Sequence, residues 1–409
     1  MAYHGDNMFH VKRTNRSAVL RLLHEQAGLS RKRLAEQTRL TPAAITKITG
    51  ELIAEGLVHE GKALPSSSAG RREVSLEPDV RARCALGLLL NRGQAMLSAV
   101  WLDGSVIFSE EQSFPTPAPA EETLTRLCAR LLALTAAHGI RPAHVLGVGV
   151  AIRGITDRDG RLARNSFGTL DENNYPLAAR VEALTGLPVV MANNVRALFA
   201  AQMFLSGDRE SRSQFFLRCE YGIGGSLSVN GRIWNGATEQ CSEIGHIPVV
   251  KQGGKLCVCG KRGCLETIAS PTAIREEAEA LLSPEGTPLL WAQHQKRGGG
   301  PLALDEVLEA AAQGDPAVAA LVDRALTVLA DAVKALLYVL DPGKIVLYGR
   351  FFDDPWLLGR LREAMKDGVD AGHRVLPEVS PYNHRLEDKA APLLMVEDFF
   401  ESGGLPRAL

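Results

Sequence analysis

The sequence predicts an α/β protein in which a small, mainly helical module precedes a larger body of strands and helices. Three observations predict this class. Helix signals dominate residues 1–56, apolar runs of strand length alternate with amphipathic helical stretches from residue 85 onward, and Gly and Pro (39 and 21 residues) are near average usage for globular domains. A chain of 409 residues is long enough for two or three domains.

The composition excludes several classes of protein. A run of about 18 apolar residues, which would predict a membrane-spanning helix, is absent, and the first residues lack the apolar segment of a secretory signal. The seven cysteines, three of them between Cys257 and Cys264, do not resemble a disulfide framework. We therefore expect a cytoplasmic protein with no membrane partner, in which the clustered thiols are available to a metal.

The net charge of −1 conceals an asymmetry between the two parts of the chain. Residues 1–77 hold 12 Lys and Arg against 8 Asp and Glu, a balance of +4. The remaining residues hold 34 against 39, a balance of −5. A basic module joined to an acidic body fits a head that binds a polyanion and a body that binds a small molecule.

The N-terminal module contains the pattern of a helix-turn-helix. Residues 15–26 carry apolar residues on one helical face, and a second short helix is expected after Ser30. The third helix is expected to begin after Thr41, a suitable N-cap, with Pro42 at its first position. The turn before it contains Arg39 and Leu40, where many such motifs have Gly.

Two short strands and a wing are predicted after the third helix ends at Gly56. The strands cover residues 57–60 and 73–76, and the tip between them ends in two arginines that can contact phosphates or a narrow minor groove. The exposed face of the third helix would meet base edges in the major groove. The predicted DNA-binding residues are Ala43, Ala44, Thr46, Lys47, Arg71 and Arg72. A helical protein-interaction module with a solvated basic face is less consistent with this ordered series.

One histidine and three cysteines have the spacing of a metal site. His246 lies eleven residues before Cys257, and Cys259 and Cys264 follow around the segment Gly260–Gly263, whose glycines let the chain turn back. One imidazole and three thiolates form the closed tetrahedral shell that structural Zn²⁺ prefers. We therefore predict a structural zinc site, with three buried free cysteines and a core histidine as the alternative. Outside this cluster, the predicted core cysteines are Cys84, Cys128, Cys219 and Cys241.

The segment Asn230–Ser270 resembles the ROK family (repressors, open reading frames and sugar kinases). The resemblance is carried by Ser242-Glu243-Ile244-Gly245-His246, in which Ser242 replaces a family glycine, and by Cys257-x-Cys-Gly-x-x-Gly-Cys264-Leu265-Glu266. The N-terminal helix-turn-helix is similar to that of the repressor branch, which includes xylose and N-acetylglucosamine repressors. The resemblance implies an actin-like, hexokinase-like ATPase fold of two α/β lobes with sugar in the cleft between them.

This resemblance implies a domain division. Residues 1–80 form a winged helix-turn-helix DNA-binding domain, residues 81–192 and 385–409 a first lobe, and residues 193–384 a second lobe with the zinc motif. Local patterns agree with an α/β body. They predict a hairpin over residues 85–102, buried strands over 147–152 and 187–192, a helix over 316–340 capped by Asp315, a strand over 344–348, and an exposed loop over 282–301.

The resemblance also implies sugar-binding residues. In the family, sugar hydroxyls are held by an Asn-Asp pair, by the Glu of the Gly-Glu-x-Gly-His segment and by the Glu after the last cysteine. Carboxylates and amides suit vicinal hydroxyls because they accept and donate hydrogen bonds in pairs, although Glu243 and Glu266 could also be ordinary surface acids. The candidate sugar contacts are Asn193, Asn194, Gly154, Asn165, Glu243, His246 and Glu266.

The groups that a ROK kinase uses for phosphoryl transfer are missing. The expected general base is Asn194, whose amide cannot take a proton near neutral pH. The first phosphate segment, residues 89–93, lacks its acid and paired glycines. The second begins at Glu220, which would repel a triphosphate, and the adenosine-side glycines are reduced to Gly349. These changes predict a body that is not an enzyme.

The sequence thus predicts a sugar-responsive transcriptional repressor of carbohydrate metabolism genes with a non-catalytic ROK body. Its expected partners are a double-stranded DNA operator, a sugar or sugar-phosphate effector, and further copies of itself in a homodimer or homotetramer. A sugar kinase with an appended DNA-binding domain is the alternative enzyme function. A protein scaffold with a vestigial cleft is a third possibility.

Overall fold

A computed structural model of the chain describes residues 8–64, 73–208, 211–366 and 375–405. The chain divides into two compact units, which we call the first unit (Met1–Gly207 with Leu386–Leu409) and the second unit (Asp208–Arg385). The sequence-based division begins the second lobe at residue 193. In the structure, the helix that starts at Asn194 packs on the first unit instead, since its apolar face contacts the sheet and the C-terminal helix.

The secondary-structure elements follow the chain in two series. The helices are α1 (Met8–Glu25), α2 (Arg31–Thr38), α3 (Pro42–Ala54), α4 (Ala120–Ala137), α5 (Leu177–Thr185), α6 (Asn194–Ser206), α7 (Glu266–Ala269), α8 (Pro271–Leu281), α9 (Pro288–Lys296), α10 (Leu304–Ala312), α11 (Pro316–Leu340), α12 (Pro355–Lys366) and α13 (Glu387–Glu401). The strands are β1 (Leu29–Ser30), β2 (Val58–Ala63), β3 (Val74–Pro78), β4 (Cys84–Asn91), β5 (Gln94–Trp101), β6 (Val106–Ser113), β7 (Val145–Ile152), β8 (Ile155–Thr156), β9 (Ala163–Asn165), β10 (Val189–Asn193), β11 (Ser213–Cys219), β12 (Ile223–Val229), β13 (Arg232–Ile233), β14 (Lys344–Tyr348) and β15 (Glu378–Val379). Among these described helices, none has both the length and the hydropathy to cross a bilayer.

The described residues of the first unit up to Pro78, which we call the head, have the predicted helix-turn-helix followed by two strands, β2 and β3. The two-residue strand β1 was not predicted. Thr41 caps α3, because its Oγ1 accepts a hydrogen bond from the N–H of Ala44 at 3.2 Å. The three strands form a sheet in the order β1-β3-β2. Helix α1 begins earlier than predicted, and Lys12 in its first turns pairs with Glu51 at 3.0 Å. The predicted DNA contacts Arg71 and Arg72 lie outside the described residues.

The body of the first unit is a five-stranded sheet in the order β10-β7-β4-β5-β6. Strands β10, β7 and β4 are parallel, whereas β4, β5 and β6 form antiparallel hairpins. Helix α13 packs against this sheet. It approaches the sheet closely because Gly149 has no side chain: a Cβ there would lie 1.7 Å from the carbonyl oxygen of Ala391.

The second unit is built on a sheet in the order β13-β12-β11-β14-β15. The long helix α11 has the predicted bounds, and Asp315 caps it by accepting a hydrogen bond from the N–H of Val318. The residue that follows it, Asp341, has a φ of 42°, in the left-handed region that ends many helices. The predicted strand over 344–348 is β14.

The prediction of an exposed loop over residues 282–301 was wrong. This stretch contains α9, in which Leu290 is fully buried and His294 nearly so. Its first turn is stabilised by the carboxylate of Asp315, which accepts hydrogen bonds from the N–H groups of Leu289 and Leu290 at 3.0 and 3.2 Å. The Gly- and Pro-rich composition concealed the helix because its cap comes from a residue distant in the sequence.

Candidate functional site

The four predicted metal ligands come together in the second unit. The ligand atoms of His246, Cys257, Cys259 and Cys264 all lie within 4.8 Å of one another. The Sγ of Cys257 is 3.4 Å from the Nδ1 of His246, and the Sγ atoms of Cys259 and Cys264 are 3.6 Å apart. Ligands bound at about 2.0–2.3 Å to one tetrahedral ion lie roughly 3.3–3.8 Å from each other. The donor set and these two separations therefore fit a four-coordinate metal ion.

Local backbone geometry creates this cluster. The N–H of Cys257 donates to the carbonyl of Lys261 at 2.8 Å, which closes a tight loop that contains the first two thiols, those of Cys257 and Cys259. Gly263 has a φ of +71°, and a Cβ there would lie 2.3 Å from the carbonyl oxygen of Val250. Only glycine fits this position, since both the left-handed conformation and the close backbone approach exclude a side chain. His246 ends a single 3₁₀ turn that begins at Ile244.

The thiols of the cluster differ in acidity. Burial raises the pKa of the Cys257 thiol above its ordinary value, and it likewise raises that of Cys264. Burial also acts to raise the pKa of Cys259, but hydrogen bonds from the N–H of Lys261 and from the neighbouring thiols outweigh it and lower that pKa. A metal bound at this site would replace the thiol protons, because the thiolate is the form of cysteine that binds metal.

The two candidate sugar-binding acids of the second unit are both attached to the metal cluster. Glu266 begins α7, and its Oε1 lies 3.3 Å from the Sγ of Cys257 and 3.7 Å from the Nδ1 of His246. Its Oε2 accepts the N–H of Ile223 at 3.4 Å. Glu243 precedes the 3₁₀ turn, and its carbonyl accepts the N–H of His246 at 3.0 Å. The cluster therefore positions both acids, which are partly exposed.

The remaining candidate sugar contacts lie together in the first unit, but their polar groups are largely used within the protein. The side-chain oxygen of Asn193 accepts the N–H of Val195 at 2.8 Å and so caps α6, and its amide nitrogen donates to the carbonyl of Gly154 at 2.5 Å. Gly154 has a φ of +118°, and a Cβ there would lie 2.0 Å from the carbonyl oxygen of Asn165. These three residues thus form one structural cluster at the start of α6.

The residue at the expected catalytic position is paired with a second amide. Asn194 is 2% exposed, and its Nδ2 donates to the Oδ1 of Asn91 at 2.9 Å. Asn91 ends β4, in the segment where the first phosphate loop was expected. Two carboxylates at this separation would repel each other strongly unless one were protonated or a cation lay between them. The amide pair is neutral and forms its own hydrogen bond.

In the second unit, the other two segments that the resemblance relates to phosphate binding have backbone N–H groups bonded to the protein's own side chains. The Oε1 of Glu220 accepts the N–H of Arg350 at 2.8 Å, and the Oδ1 of Asn383 accepts the N–H of Gly349 at 2.7 Å. His384 pairs with Asp353 beside them. Sequence reasoning missed Asn383, His384 and Asp353, because no spacing or motif connects them to Glu220.

The candidate nucleic-acid interface is the solvent face of α3. Ala43, Thr46 and Lys47 are exposed on this face, and Ala44 is half-buried beside them. The opposite face is fixed in the core of the head through Ile45, Ile48 and Leu52. A residue that the sequence did not single out, Arg31, supports the helix from behind: it donates to the Oγ1 of Thr49 at 3.0 Å and to Glu60 at 2.8 Å.

Comparison with known proteins supports the predicted family of both the N-terminal module and the body. The family model described as ROK family matches residues 91–393, and one described as winged helix-turn-helix DNA-binding matches residues 12–59. The N-acetylglucosamine repressor of Escherichia coli O6:H1 is 28% identical over 385 residues, which cover 92% of this chain and 90% of that protein.

Two solved structures have the same fold. A ROK family transcriptional regulator, described as a homolog of the E. coli MLC protein, superposes with a TM-score of 0.79 at 23% identity, covering 97% of this chain and 98% of that one. A ROK family glucokinase from Streptomyces griseus, in complex with glucose and AMPPNP, has a TM-score of 0.63 at 22% identity, covering 77% of this chain and 98% of that one. The predicted fold class, a winged helix-turn-helix with a kinase-type α/β body, is thus confirmed.

Proposed function

The chain belongs to the ROK family, and from this premise we propose that it is a DNA-binding transcriptional repressor of carbohydrate metabolism genes whose body binds sugar without phosphorylating it. One observation carries the proposal. A winged helix-turn-helix with an exposed α3 face lies in the same compact unit as a family lobe whose catalytic position holds the amide of Asn194, hydrogen-bonded to Asn91. The proposed partners are an operator in double-stranded DNA, a sugar or sugar phosphate, and one or three further copies of the chain.

The DNA-binding step follows from the geometry of α3. In helix-turn-helix proteins, the N-terminal residues of the second helix meet base edges in the major groove. The corresponding residues here, Ala43 and Thr46, have short side chains that allow the helix to approach the bases closely, and Lys47 adds a positive charge to the same exposed face. Repression requires binding as a dimer or larger assembly to paired half-sites, since one helix reads only a few base pairs.

The metal that we assign to the four ligands is Zn²⁺. Three thiolates and an imidazole leave no open coordination position, so its contribution is to hold the chain in place rather than to activate water. Its binding would fix the 3₁₀ turn that carries Glu243 and the first turn of α7 that carries Glu266. These two acids are the residues of the second unit that we assign to sugar hydroxyls.

We expect the protein to select a defined operator from random-sequence DNA and to change its affinity for that operator when the correct sugar is added. Fluorescence anisotropy with the selected duplex, repeated with N-acetylglucosamine, glucose, xylose and their phosphates, measures both effects. Lys47→Ala is expected to weaken binding, whereas Lys296→Ala, at an exposed position in α9, is the matched control. Failure to select any duplex contradicts the repressor function. Selection without any response to the sugars contradicts the sensor function alone.

The amide pair allows a test of the non-catalytic body. Asn91→Asp and Asn194→Asp should each be tolerated, because the remaining amide can donate to the new carboxylate. The double variant should be destabilised by about 1–3 kcal/mol beyond the sum of the single changes, since two carboxylates then face each other. Urea unfolding measures this coupling, which should shrink in acid as one carboxyl takes up a proton.

None of these variants is expected to release ADP from ATP in the presence of hexoses, because Glu220 and Asn383 still occupy the N–H groups of Arg350 and Gly349. A coupled assay for ADP over a panel of hexoses is the measurement. Turnover by the unmodified protein that Asn194→Ala abolishes would support the kinase alternative instead.

A further inference from the structure

The turn of the helix-turn-helix contains a residue in an unfavourable backbone conformation. Helix α2 ends at Thr38, and the next residue, Arg39, has a φ of 57° and a ψ of 25°. This is the left-handed region, which costs little for glycine and is disfavoured for residues that carry a Cβ. Glycine is the usual residue after the last turn of a helix for this reason. Arginine at this position therefore lowers the stability of the head.

Contacts of the Arg39 side chain within the described protein do not compensate for this backbone cost. It is exposed, and within the described parts of the chain it forms no hydrogen bond or ion pair. Neighbouring cations of α2 differ in this respect. Arg31 is bonded to Thr49 and Glu60, Lys32 lies 3.6 Å from Glu73, and Arg33 lies 3.8 Å from Glu36. The positive charge of Arg39 is thus not paired with a described acid of the protein, and its backbone conformation is unfavourable.

Its position relates it directly to α3. Arg39 comes two residues before Thr41, the N-cap of α3, on the chain that enters the helix. When the N-terminal residues of such a helix meet base edges, the turn before them lies at the edge of the major groove, where the phosphates are. Unfavourable backbone conformations that persist without internal compensation are concentrated at binding sites.

We propose that Arg39 binds a backbone phosphate of the DNA at the edge of the groove that α3 occupies. The inference rests on the proposed DNA-binding function and extends it by one named contact and its chemical class. A phosphate contact is independent of base sequence, so it should contribute equally to every duplex. It should also release counterions, which makes it visible in the salt dependence of binding.

The test compares Arg39→Gly, Arg39→Asn and Arg39→Lys in the full-length protein. Glycine and asparagine accept the left-handed conformation, so both variants should have a melting temperature equal to or above that of the unmodified protein. Both should nevertheless bind the selected operator and a scrambled duplex more weakly, each by about tenfold. The slope of log K against log salt should become less negative by about 0.9, and Arg39→Lys should retain the original slope. Arg158→Gly, at an exposed turn of the body, is the control.

Four outcomes bear on the inference. Unchanged affinity and slope in Arg39→Gly and Arg39→Asn would overturn it while leaving the repressor function intact. An unchanged slope with relaxed preference at one base pair would assign Arg39 to base recognition and also overturn it. If the unmodified protein selects no DNA at all, the proposed function fails first. A lower melting temperature in Arg39→Gly would contradict the claim of backbone cost.

Discussion

Cys264→Ser is expected to abolish stoichiometric zinc and to destabilise the second unit by roughly 3 kcal/mol or more. Cys264 is fully buried, and the residues on either side of it, Gly263 and Leu265, form hydrogen bonds with the segment that follows His246. The carbonyl of Gly263 accepts the N–H groups of Val249 and Val250 at 2.8 and 3.1 Å, and the N–H of Leu265 donates to Ile247 at 2.9 Å. Metal analysis of the purified protein and thermal melting with and without a chelator measure the effect.

Cys241→Ser is the matched control for this prediction. Cys241 lies near the motif in the sequence and is also a free, partly buried cysteine, but it is not one of the four clustered residues. The same loss of a thiol there should leave both the zinc content and the chelator sensitivity unchanged. Equal melting temperatures for Cys264→Ser and the unmodified protein would show that the cluster has no structural role.

Arg16→Met is expected to destabilise the head of the first unit by roughly 2–3 kcal/mol and to weaken DNA binding with it. Arg16 is 1% exposed, and its guanidinium donates to the carbonyl of Gly403 at 2.8 Å, to Glu51 at 2.8 Å and to Glu55 at 2.7 Å. Methionine has similar bulk, so the loss measures the interactions rather than a cavity. It removes the cation from Glu55 and the hydrogen-bond donor from the carbonyl of Gly403, whereas Glu51 keeps its ion pair with Lys12. Urea unfolding and anisotropy titration measure both consequences.

The dependence of stability on pH gives a second measurement of this prediction. A hydrogen bond from Lys12, followed by one from Arg16, lowers the pKa of Glu51 below its ordinary value. A depressed carboxyl pKa contributes stability above the unfolded-state value, and that contribution is lost as the pH falls through the folded-state value. The difference between the unmodified protein and Arg16→Met should therefore narrow in acid.

Arg13→Met tests whether the effect of Arg16→Met comes from the buried contacts of Arg16 or from the loss of a positive charge alone. Arg13 is exposed, and its Nε donates to the carbonyl of Glu401 at 3.3 Å. We expect it to change stability by less than about 1 kcal/mol, as for other exposed charged contacts. Equal losses of stability in Arg13→Met and Arg16→Met would contradict the claim that the buried contacts of Arg16 stabilise the head.

Local signals in the sequence determined several parts of the structure. Thr41 with Pro42 and Asp315 with Pro316 predicted the starts of α3 and α11, because a side-chain cap and a proline act within one turn of the chain. The four metal ligands were predicted for a similar reason. Three of them lie within eight residues, and glycines between them leave the loop few other conformations.

Only the tertiary structure decided the features that depend on residues distant in the sequence. Helix α9 exists because Asp315 caps it and because Leu290 has a core in which to be buried. Asn194 meets Asn91 only after β4 and the start of α6 are brought together by the sheet. Arg16 is buried only because the residues that follow α13 return to the head. Burial and the choice of partner depend on which surfaces meet in the folded chain. A short stretch of sequence therefore does not predict such contacts.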